Sequence, residues 1–341
     1  MPKKQFSDLF FSKTKDFLDV FLPKQNNRSS ETVRAYRISL NSFYDYVTET
    51  AGIPAISFRF SDCTYDFFLG YPQFLREQKN LAPSTVNQRF AALKTYLKYV
   101  ADADFSMIQV YLAAKKVPLL RTEKLQRPII EKDGLSAFLA APPDTRIGNR
   151  DRMLLVMLFD TAVRISELLG IRLGDISLTA SNPTILIYGK GKKQRIVSLN
   201  EKTALHLREY VASFHGKDPS PDAYLFYTTI HGKRMQMSVR NAERIVKKYA
   251  GIAKESVPDM PENCYPHMLR RSRASGLYRD GVPIEMIAAI LGHSSSETTK
   301  IYAIPSVEQM KEALKIDQDE TDGTKHLWEG REEQIRKMFG L

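Results

Sequence analysis

Apolar residues recur at helical spacing through the first hundred residues of the chain. Within residues 29–49 and 82–100 the spacing alternates between three and four, which is typical of an amphipathic helix with one buried face. Ser29 or Ser30 is a suitable N-cap for the first of these helices. We therefore predict a helical domain over residues 5–112. The apolar positions on the two faces are Val33, Tyr36, Leu40, Phe43, Val47, Val86, Phe90, Leu93, Leu97 and Val100.

Both helices also carry cations away from their apolar faces. A charged helix face is usually only solvated, so the pattern leaves solvation and nucleic-acid binding open. Residues 113–127, which lack periodicity and are rich in lysine and arginine, are predicted to be a basic linker. The cations on the two helices are Arg34, Arg37, Arg89, Lys94 and Lys98.

A second domain is predicted over residues 128–316, beginning with a helix over 129–141. The apolar stretch within residues 150–170 predicts one buried helix that ends at Gly170. Residues 201–250 are predicted to form two helices that flank a loop.

Two β-branched runs in this second part, residues 184–188 and 195–199, are separated by a turn rich in glycine and lysine. This arrangement predicts a β-hairpin. The predicted fold class is therefore mainly α with a small β-sheet (α+β), in two domains.

The stretch from His267 to Tyr302 predicts helices joined by tight turns. The first helix is expected to stop at Gly281, which can take the left-handed cap conformation, and a proline opens the second. Gly292 ends that helix and leaves His293 on a turn, and serines can cap a third, short helix that carries Tyr302. The two turns are expected to bring the polar side chains of this stretch towards a common point.

The last residues predict a separate element. An acidic break at residues 317–322 precedes a segment whose apolar positions can form one helical stripe. Residues 317–341 are therefore predicted to be a tail helix, which packs either on its own domain or on another subunit.

The composition narrows the class of protein. The formal net charge is +11 and the pI is near 9.4, values typical of proteins that bind a polyanion, although solubility alone is the simpler explanation. Cys63 and Cys264 show neither metal-ligand spacing nor a disulfide framework, which fits a reducing cytoplasm. No apolar run approaches the roughly 18 residues of a membrane span, and no signal peptide is evident.

Candidate chemistry lies on two segments. His267 and Arg270 are three residues apart and share one helix face, a pair that is most often only a surface feature. Arg164 directly follows an apolar stretch, where an arginine is ordinarily ion-paired, and Glu167 is spaced to orient either Arg164 or a neighbouring histidine. Tyr302 by itself would be expected to pack as a half-buried tyrosine.

Together these segments resemble the tyrosine recombinase (phage integrase) family. The resemblance rests on AVRISELLGIRLGDI, the GKGKKQR loop at 189–195, HMLRRS and LGHSSSETTKIY, in that order. It is strong over residues 127–305 and weaker over 5–105, where only the helix pattern supports it. It implies an active site made of Arg164, Lys190, His267, Arg270, His293 and Tyr302.

Two departures from the family pattern affect the assignment of cations. Arg271 and Arg273 add charge after the H-x-L-R pair, and Arg271 is expected to contact the DNA backbone. Lys190 shares its loop with Lys192 and Lys193, so the identity of the lysine that acts as general acid stays open among the three. The two lysines that are not the acid are expected to bind DNA.

The resemblance also implies a reaction. Arg164 and Arg270 would bind the non-bridging phosphate oxygens, since guanidinium groups suit such forked contacts. Tyr302 would form a covalent 3′-phosphotyrosine with DNA, and a lysine would protonate the departing 5′ oxygen. Neither a metal nor a nucleotide cofactor is expected.

The resemblance further implies a clamp, in which a helical core-binding domain and the catalytic domain close around double-stranded DNA. Inverted-repeat core sites, a tetramer on two duplexes and a tail that docks in trans are expected, with room for accessory DNA-bending or partner recombinase proteins. The chain begins almost directly with the core-binding helices, so an arm-binding module is not expected. The expected location is the cytoplasm, at the nucleoid.

Two other functions share some of these features. A type IB topoisomerase uses similar chemistry but only relaxes supercoils, and a DNA-binding regulator needs the charge without the catalytic set. The role of the recombinase in a transposon, a phage, an integrative element or chromosome-dimer resolution is not encoded in these motifs.

Overall fold

The computed structural model describes residues 8–122, 128–179, 182–189, 194–292, 299 and 336–337. The chain divides into two compact units, residues 1–126 and 127–341. Among the described residues, no helix has the length and apolar character needed to cross a membrane.

The first unit is helical. It opens with a continuous helical segment made of a 3-10 turn, an α-helical turn and a π-helical stretch, and further helices follow along the chain. The opening segment comprises Phe10–Lys13, Thr14–Asp16 and Phe17–Gln25. The helices that follow are α1 (Ser30–Asp45, extended by a π-helical stretch at Tyr46–Thr50), α2 (Tyr65–Glu77), α3 (Pro83–Ala103) and α4 (Ile108–Lys116).

Helices α1 and α3 confirm the two amphipathic patterns. Ser29 caps α1, its Oγ accepting a hydrogen bond from the Thr32 N–H at 3.3 Å, and Pro83 occupies the first turn of α3. The apolar positions of α3 are all buried, whereas Val33 and Tyr36 at the start of α1 are only partly buried.

The core of the first unit is dominated by aromatic rings. The Phe10 ring centroid lies 5.0 Å from those of Phe43 and Phe60 and 5.5 Å from that of Tyr96. The Tyr96 hydroxyl donates to the Phe10 carbonyl, and the Tyr71 hydroxyl donates to the Ser39 carbonyl at 3.2 Å. These hydrogen bonds satisfy polar groups that burial would otherwise leave unpaired.

The predicted linker begins later than its composition indicates. Residues 113–116 complete α4, and Val117 is only 2% exposed in the first unit's core. Asn87 then brackets the backbone of Leu120 with two hydrogen bonds of 2.9 Å. The start of this cationic stretch is therefore fastened to the first unit, by the buried Val117 side chain and by the hydrogen bonds of Asn87.

The second unit combines helices with two small antiparallel sheets. Its helices are α5 (Lys132–Ala140), α6 (Arg146–Asp160), α7 (Ile165–Gly170), α8 (Glu201–His215), α9 (Val239–Ser256), α10 (Pro266–Arg279) and α11 (Ile284–Leu291). Its strands are β1 (Ile176–Ser177), β2 (Thr184–Tyr188), β3 (Gln194–Ser198), β4 (Tyr227–Ile230) and β5 (Lys233–Gln236).

The prediction of a single helix over residues 150–170 is wrong, because the structure has two helices there. Helix α6 ends at Asp160, Ala162 has a positive φ of 50°, and the backbone at Arg164 is extended before α7 begins. The Thr161 hydroxyl donates to the Met157 carbonyl at 2.5 Å and so caps the end of α6. The apolar pattern continues across this break because residues on both sides face the same core.

The hairpin predicted around the GKGKKQ turn is confirmed and gains a third strand. Strands β1, β2 and β3 form one antiparallel sheet in that order, with Ile185 opposite Val197 and Ile187 opposite Arg195. The three aliphatic residues among these four are buried, as alternation along a half-covered sheet requires. Residues 190–193 of the turn lie outside the described residues.

A second hairpin was missed in the loop predicted between α8 and α9. Strands β4 and β5 pair through a turn at His231 and Gly232, which both have positive φ. Residues 230–236 are exposed, so this hairpin has no apolar alternation of the kind that signals a strand in sequence.

The turns around α10 and α11 have the predicted geometry. Gly281 and Gly292 have φ of 81° and 64°, a left-handed conformation that a side chain disfavours. The Ile287 and Leu291 side chains of α11 are buried, and together with Ala162 and Ala274 they form a small apolar cluster. Helix α11 is therefore packed on α10 and on the turn that follows α6.

Candidate active site

Arg164 lies at the start of α7, where it combines the roles of helix cap and candidate phosphate ligand. Its side chain is 42% exposed. Its backbone N–H donates to Oε2 of Glu167 at 3.0 Å and its Nη1 donates to Oε1 at 2.9 Å. Glu167 thus holds both the backbone and the guanidinium of Arg164 at the start of α7, and its contact with the Arg164 N–H is the glutamate half of a capping box.

Glu167 is buried and shared between two arginines. Arg195, on β3, donates from Nη2 to Oε2 at 2.7 Å and from Nη1 to Oε1 at 3.3 Å. Burial by itself would raise the pKa of Glu167, but hydrogen bonds and charge from Arg195, together with the Arg164 backbone and guanidinium, hold that pKa below its ordinary value. The carboxylate is therefore ionised and accepts four donors.

Arg195 was not identified from the sequence, although a signal was present. It lies two residues before Val197 on β3 and so shares the strand face that packs inward, while Ile196 between them is 70% exposed. An arginine on the buried face of a strand needs hydrogen-bond acceptors, and a carboxylate both accepts and balances its charge. The only acidic residue in the R-x-S-E segment supplies it.

Arg270 is 1% exposed and ties together segments that are distant in sequence. Its Nη1 donates to the Ala162 carbonyl at 2.8 Å, and its Nη2 donates to the Leu291 carbonyl at 2.7 Å. The first carbonyl lies two residues before Arg164, and the second lies two residues before His293. Arg270 therefore joins the turn that carries Arg164 to the end of α11.

Of the remaining members of the predicted site, the structure describes only His267. His267 is exposed in the first turn of α10, one turn before Arg270 on the same helix. The other candidates lie outside the described residues: they are Lys190, Lys192, Lys193, His293 and Tyr302.

Arg271 does not have the environment expected of a residue that contacts DNA. It is 3% exposed, its Nη2 donates to the Pro128 carbonyl at 2.5 Å, and its guanidinium lies over the Tyr265 ring at 5.7 Å. The adjacent Ser272 accepts a hydrogen bond from the Ile130 N–H at 2.8 Å. Arg271 is therefore on the buried face of α10, where it fastens the first residues of the second unit to that helix.

The predicted DNA-binding cations of the first unit differ in their availability. Arg34 and Lys98 are exposed, and Arg37 is exposed but pairs with Asp19 at 3.0 Å. Arg89 donates to the Ser42 hydroxyl. The fifth cation, Lys94, is partly buried.

Lys94 lies over the Phe90 ring at 4.6 Å, and its Nζ donates to the Val117 carbonyl at 3.0 Å. Burial lowers its pKa. Its ammonium is therefore directed within the first unit, where it holds the end of α4 against α3.

Comparison with known proteins identifies the family. The sequence profile of the phage integrase family matches residues 128–309, and that of the phage integrase SAM-like domain matches residues 14–116. A tyrosine recombinase of Agathobacter rectalis is 28% identical over 304 residues, which are 85% of this chain and 91% of the relative. A tyrosine recombinase XerC of Myxococcus xanthus is 30% identical over 302 residues, 85% of this chain and 92% of the relative.

Solved structures share the fold. The XerH site-specific recombinase bound to palindromic difH substrate has a TM-score of 0.68 at 22% identity, over 86% of this chain and 81% of that chain. The Tn1549 transposon integrase in complex with a circular intermediate DNA has a TM-score of 0.61 at 18% identity, over 85% and 94%.

The chain belongs to the phage integrase family of tyrosine recombinases. It is a site-specific DNA recombinase, an enzyme that cleaves and religates DNA strands. The family and the mainly helical fold predicted from the motifs are thus confirmed, and a topoisomerase or a non-catalytic regulator is not favoured.

Proposed function

We propose that Tyr302 is the nucleophile of this recombinase and that Arg164 and Arg270 bind the phosphodiester it attacks. The observation that carries this proposal is the pair of anchors around the two arginines. Glu167 holds Arg164 at the start of α7, and Arg270 binds the carbonyl two residues before Arg164. Donors fixed in this way before the substrate arrives stabilise developing charge at little reorganisation cost.

The proposed reaction conserves the energy of the phosphodiester. The Tyr302 oxygen forms a bond to phosphorus while the bond to the 5′ oxygen breaks, which leaves a 3′-phosphotyrosine and a 5′-hydroxyl. Attack by the 5′-hydroxyl of another strand reverses the step and exchanges strands. His267 accepts the tyrosine proton or binds phosphate, and His293 donates to the same oxygens.

Lys190 is proposed as the general acid for the departing 5′ oxygen, with Lys192 and Lys193 as alternatives on the same loop. A lysine ammonium is a compact donor that suits this role at the tip of a hairpin. The ends of the hairpin are held by β2 and β3, and Arg195 at the start of β3 contacts Glu167. Strand β3, which directly follows this loop in the sequence, is thereby joined to the helix that begins after Arg164.

The substrate is proposed to be double-stranded DNA with short inverted-repeat core sites. The XerH structure was obtained with a palindromic substrate, and the Tn1549 integrase with a circular intermediate DNA. Exposed cations on the helices of the first unit support a DNA-binding role for residues 5–112, with a shortened linker to the catalytic residues 128–316. The expected setting is the nucleoid, in the cytoplasm.

A tetramer on two duplexes is the proposed assembly, because strand exchange needs four cleavages. Residues 317–341 are proposed to dock on a neighbouring subunit, with accessory DNA-bending or partner recombinase proteins as further components. Mass measurement of DNA-bound protein with and without residues 323–341 tests the docking. An unchanged assembly after the truncation would contradict it.

The catalytic assignment is tested by covalent trapping on a suicide substrate. DNA flanking the encoding gene, nicked near the candidate cleavage point, is mixed with wild type, Tyr302→Phe and Tyr265→Phe, and the products are separated on a denaturing gel. We expect a covalent protein–DNA band with wild type and Tyr265→Phe and no band with Tyr302→Phe. Tyr265 is a matched control because it lies next to α10 and is 39% exposed.

A covalent band that persists in Tyr302→Phe would assign the nucleophile to another tyrosine. Tight DNA binding without any covalent band, on substrates that tile the whole flanking region, would contradict the catalytic proposal. The Tyr302→Phe change removes only the hydroxyl, so a loss of folding is not expected to imitate the result.

A further inference from the structure

The Arg195 guanidinium lies where three elements of the second unit meet. It extends from β3, at the end of the lysine-containing hairpin, and binds both oxygens of Glu167 on α7. A Cβ added at Gly292, after α11, would come within 2.9 Å of its Cζ, Nε and Nη1 atoms. Arg195 therefore contacts the R-x-S-E helix and the glycine that directly precedes His293.

The charges around Glu167 pose a problem for phosphate binding. The carboxylate lies beside Arg164, which must donate to an anion when DNA is bound. A lone buried carboxylate would repel that anion and would hold the Arg164 guanidinium for itself. With Arg195 present, one carboxylate is shared by two guanidinium groups, and the cluster keeps a net positive charge.

The exposure of the two arginines divides their roles. The side chain of Arg164 is 42% exposed and that of Arg195 only 16%, while the Glu167 side chain between them is 5% exposed. Arg195 reaches the carboxylate with two donors, at 2.7 and 3.3 Å, whereas the Arg164 side chain uses one, at 2.9 Å. Arg164 can thus turn its remaining donors outward while Arg195 keeps the carboxylate bound.

We propose that Arg195 is a positioning residue of the recombinase: it neutralises Glu167, so that Arg164 can donate to the phosphodiester, and it supports the turn at Gly292. This inference rests on the proposed function, in which Arg164 binds the scissile phosphate. Arg195 acts through Glu167 and does not itself touch the reacting atoms.

A purely structural bridge between β3 and α7 is the alternative, and the two roles make opposite predictions for a double variant. If Arg195 neutralises Glu167, then Arg195→Ala leaves an unpaired carboxylate, and adding Glu167→Gln removes the harmful charge. If Arg195 only joins two elements, then Glu167→Gln removes a second part of the same bridge and cannot restore activity.

The experiment measures the single-turnover rate of covalent complex formation on the suicide substrate, with DNA affinity measured separately at fixed salt. We expect Arg195→Ala to lower the rate on the order of 10²-fold, the size of effect seen when one charge-stabilising donor is lost, with a much smaller change in affinity. The Arg195→Ala/Glu167→Gln variant should react roughly tenfold faster than Arg195→Ala. Arg195→Lys, which keeps the charge but loses the fork, should be intermediate.

Arg172→Ala is the matched control, since Arg172 pairs with Asp222 at 3.2 Å on an exposed part of the same unit. We expect its rate to equal that of wild type. Thermal melting identifies a variant that does not fold. If Arg195→Ala does not fold, the rates of Arg195→Lys and Arg195→Lys/Glu167→Gln are compared in its place.

The outcomes separate the two proposals. Wild type that binds DNA but forms no covalent complex overturns the proposed function. Wild type that cleaves, together with Arg195→Ala at the same rate or a double variant no faster than Arg195→Ala, overturns the role of Arg195 alone.

Discussion

The two units of this recombinase have cores of different chemistry. Among the described residues, eleven of the twenty-three in the first unit's buried cluster are Phe or Tyr, compared with five of the thirty-two in the main cluster of the second unit. The second unit instead buries charged groups: Arg270 and Glu167 of the candidate site are 1% and 7% exposed as whole residues, and Arg271, which fastens the start of the unit, is 3% exposed. The first unit is stabilised by ring packing and the site by paired charges.

Because of this difference, substitutions should have different consequences in the two units. Ring packing stabilises the first unit without involving its exposed cations, so those cations can be changed with little effect on the fold. In the second unit the same buried charged groups serve catalysis and stability. The arginine proposed to bind phosphate from inside the unit, Arg270, also hydrogen-bonds segments that are distant in sequence. Substitutions should therefore separate binding from stability in the first unit and combine catalysis with stability in the second.

The largest effect is expected for Arg270→Ala. It removes a donor proposed for the phosphate and leaves the carbonyls of Ala162 and Leu291 without the hydrogen bonds that Arg270 supplies. We expect covalent complex formation to fall on the order of 10²–10³-fold and the free energy of unfolding to fall by about 2–4 kcal/mol. Arg279→Ala is the control on the same helix. Arg279 pairs with Glu131, and the two side chains are 33% and 65% exposed. Equal losses in both variants would contradict the central role of Arg270.

A core substitution in the first unit should destabilise that unit alone. We expect Phe43→Ala to cost about 3–5 kcal/mol, because the ring is fully buried among other aromatic rings. Hydrogen exchange followed by mass spectrometry should show protection lost over residues 10–117 and retained over 128–292. Ile56→Ala, at a residue that is 85% exposed, should leave both regions unchanged. Equal loss of protection in the two regions would show that their cores are not independent.

The charge pairing of Glu167 should make the stability of the second unit depend on pH. Its pKa is lowered in the folded chain, so the stabilisation is present above the unfolded value and is lost as pH falls through the folded value. We expect wild type to exceed Glu167→Gln by on the order of 1 kcal/mol at pH 7, with the difference shrinking towards pH 4. Denaturant unfolding of both proteins at several pH values measures it. A stability difference that grows as the pH falls would contradict the lowered pKa of Glu167 in the folded chain.

The smallest effect is expected for single exposed cations of the first unit. Arg34→Ala should weaken DNA binding a few-fold and lower the slope of log affinity against log salt by about 1, if Arg34 neutralises one phosphate. Lys94→Ala should leave that slope unchanged, because the Lys94 ammonium is bound to the Val117 carbonyl. Salt titrations of the two variants compare them directly. Equal slopes would show that exposure does not distinguish the two cations.

Sequence periodicity predicted the helices well where one face of a helix is buried. The apolar positions of α1 and α3 and the glycine turns after α10 and α11 depend on local spacing and backbone preference, which are properties of a few neighbouring residues. The same reasoning predicted the hairpin of β2 and β3. It missed β4 and β5, because an exposed hairpin closed by His231 and Gly232 has no buried face to create a pattern.

The motifs of the sequence alone determined the family, the chemistry and the candidate residues, since side-chain type and order suffice to indicate them. Only the tertiary structure decided how those residues are held. The break before Arg164 is bound by Arg270, 108 residues away, and Glu167 is shared with Arg195, 28 residues away. Arg271 turned inward for the same reason, since its partner is the Pro128 carbonyl. A buried charge requires a partner, and no local pattern specifies which distant segment the fold brings to it.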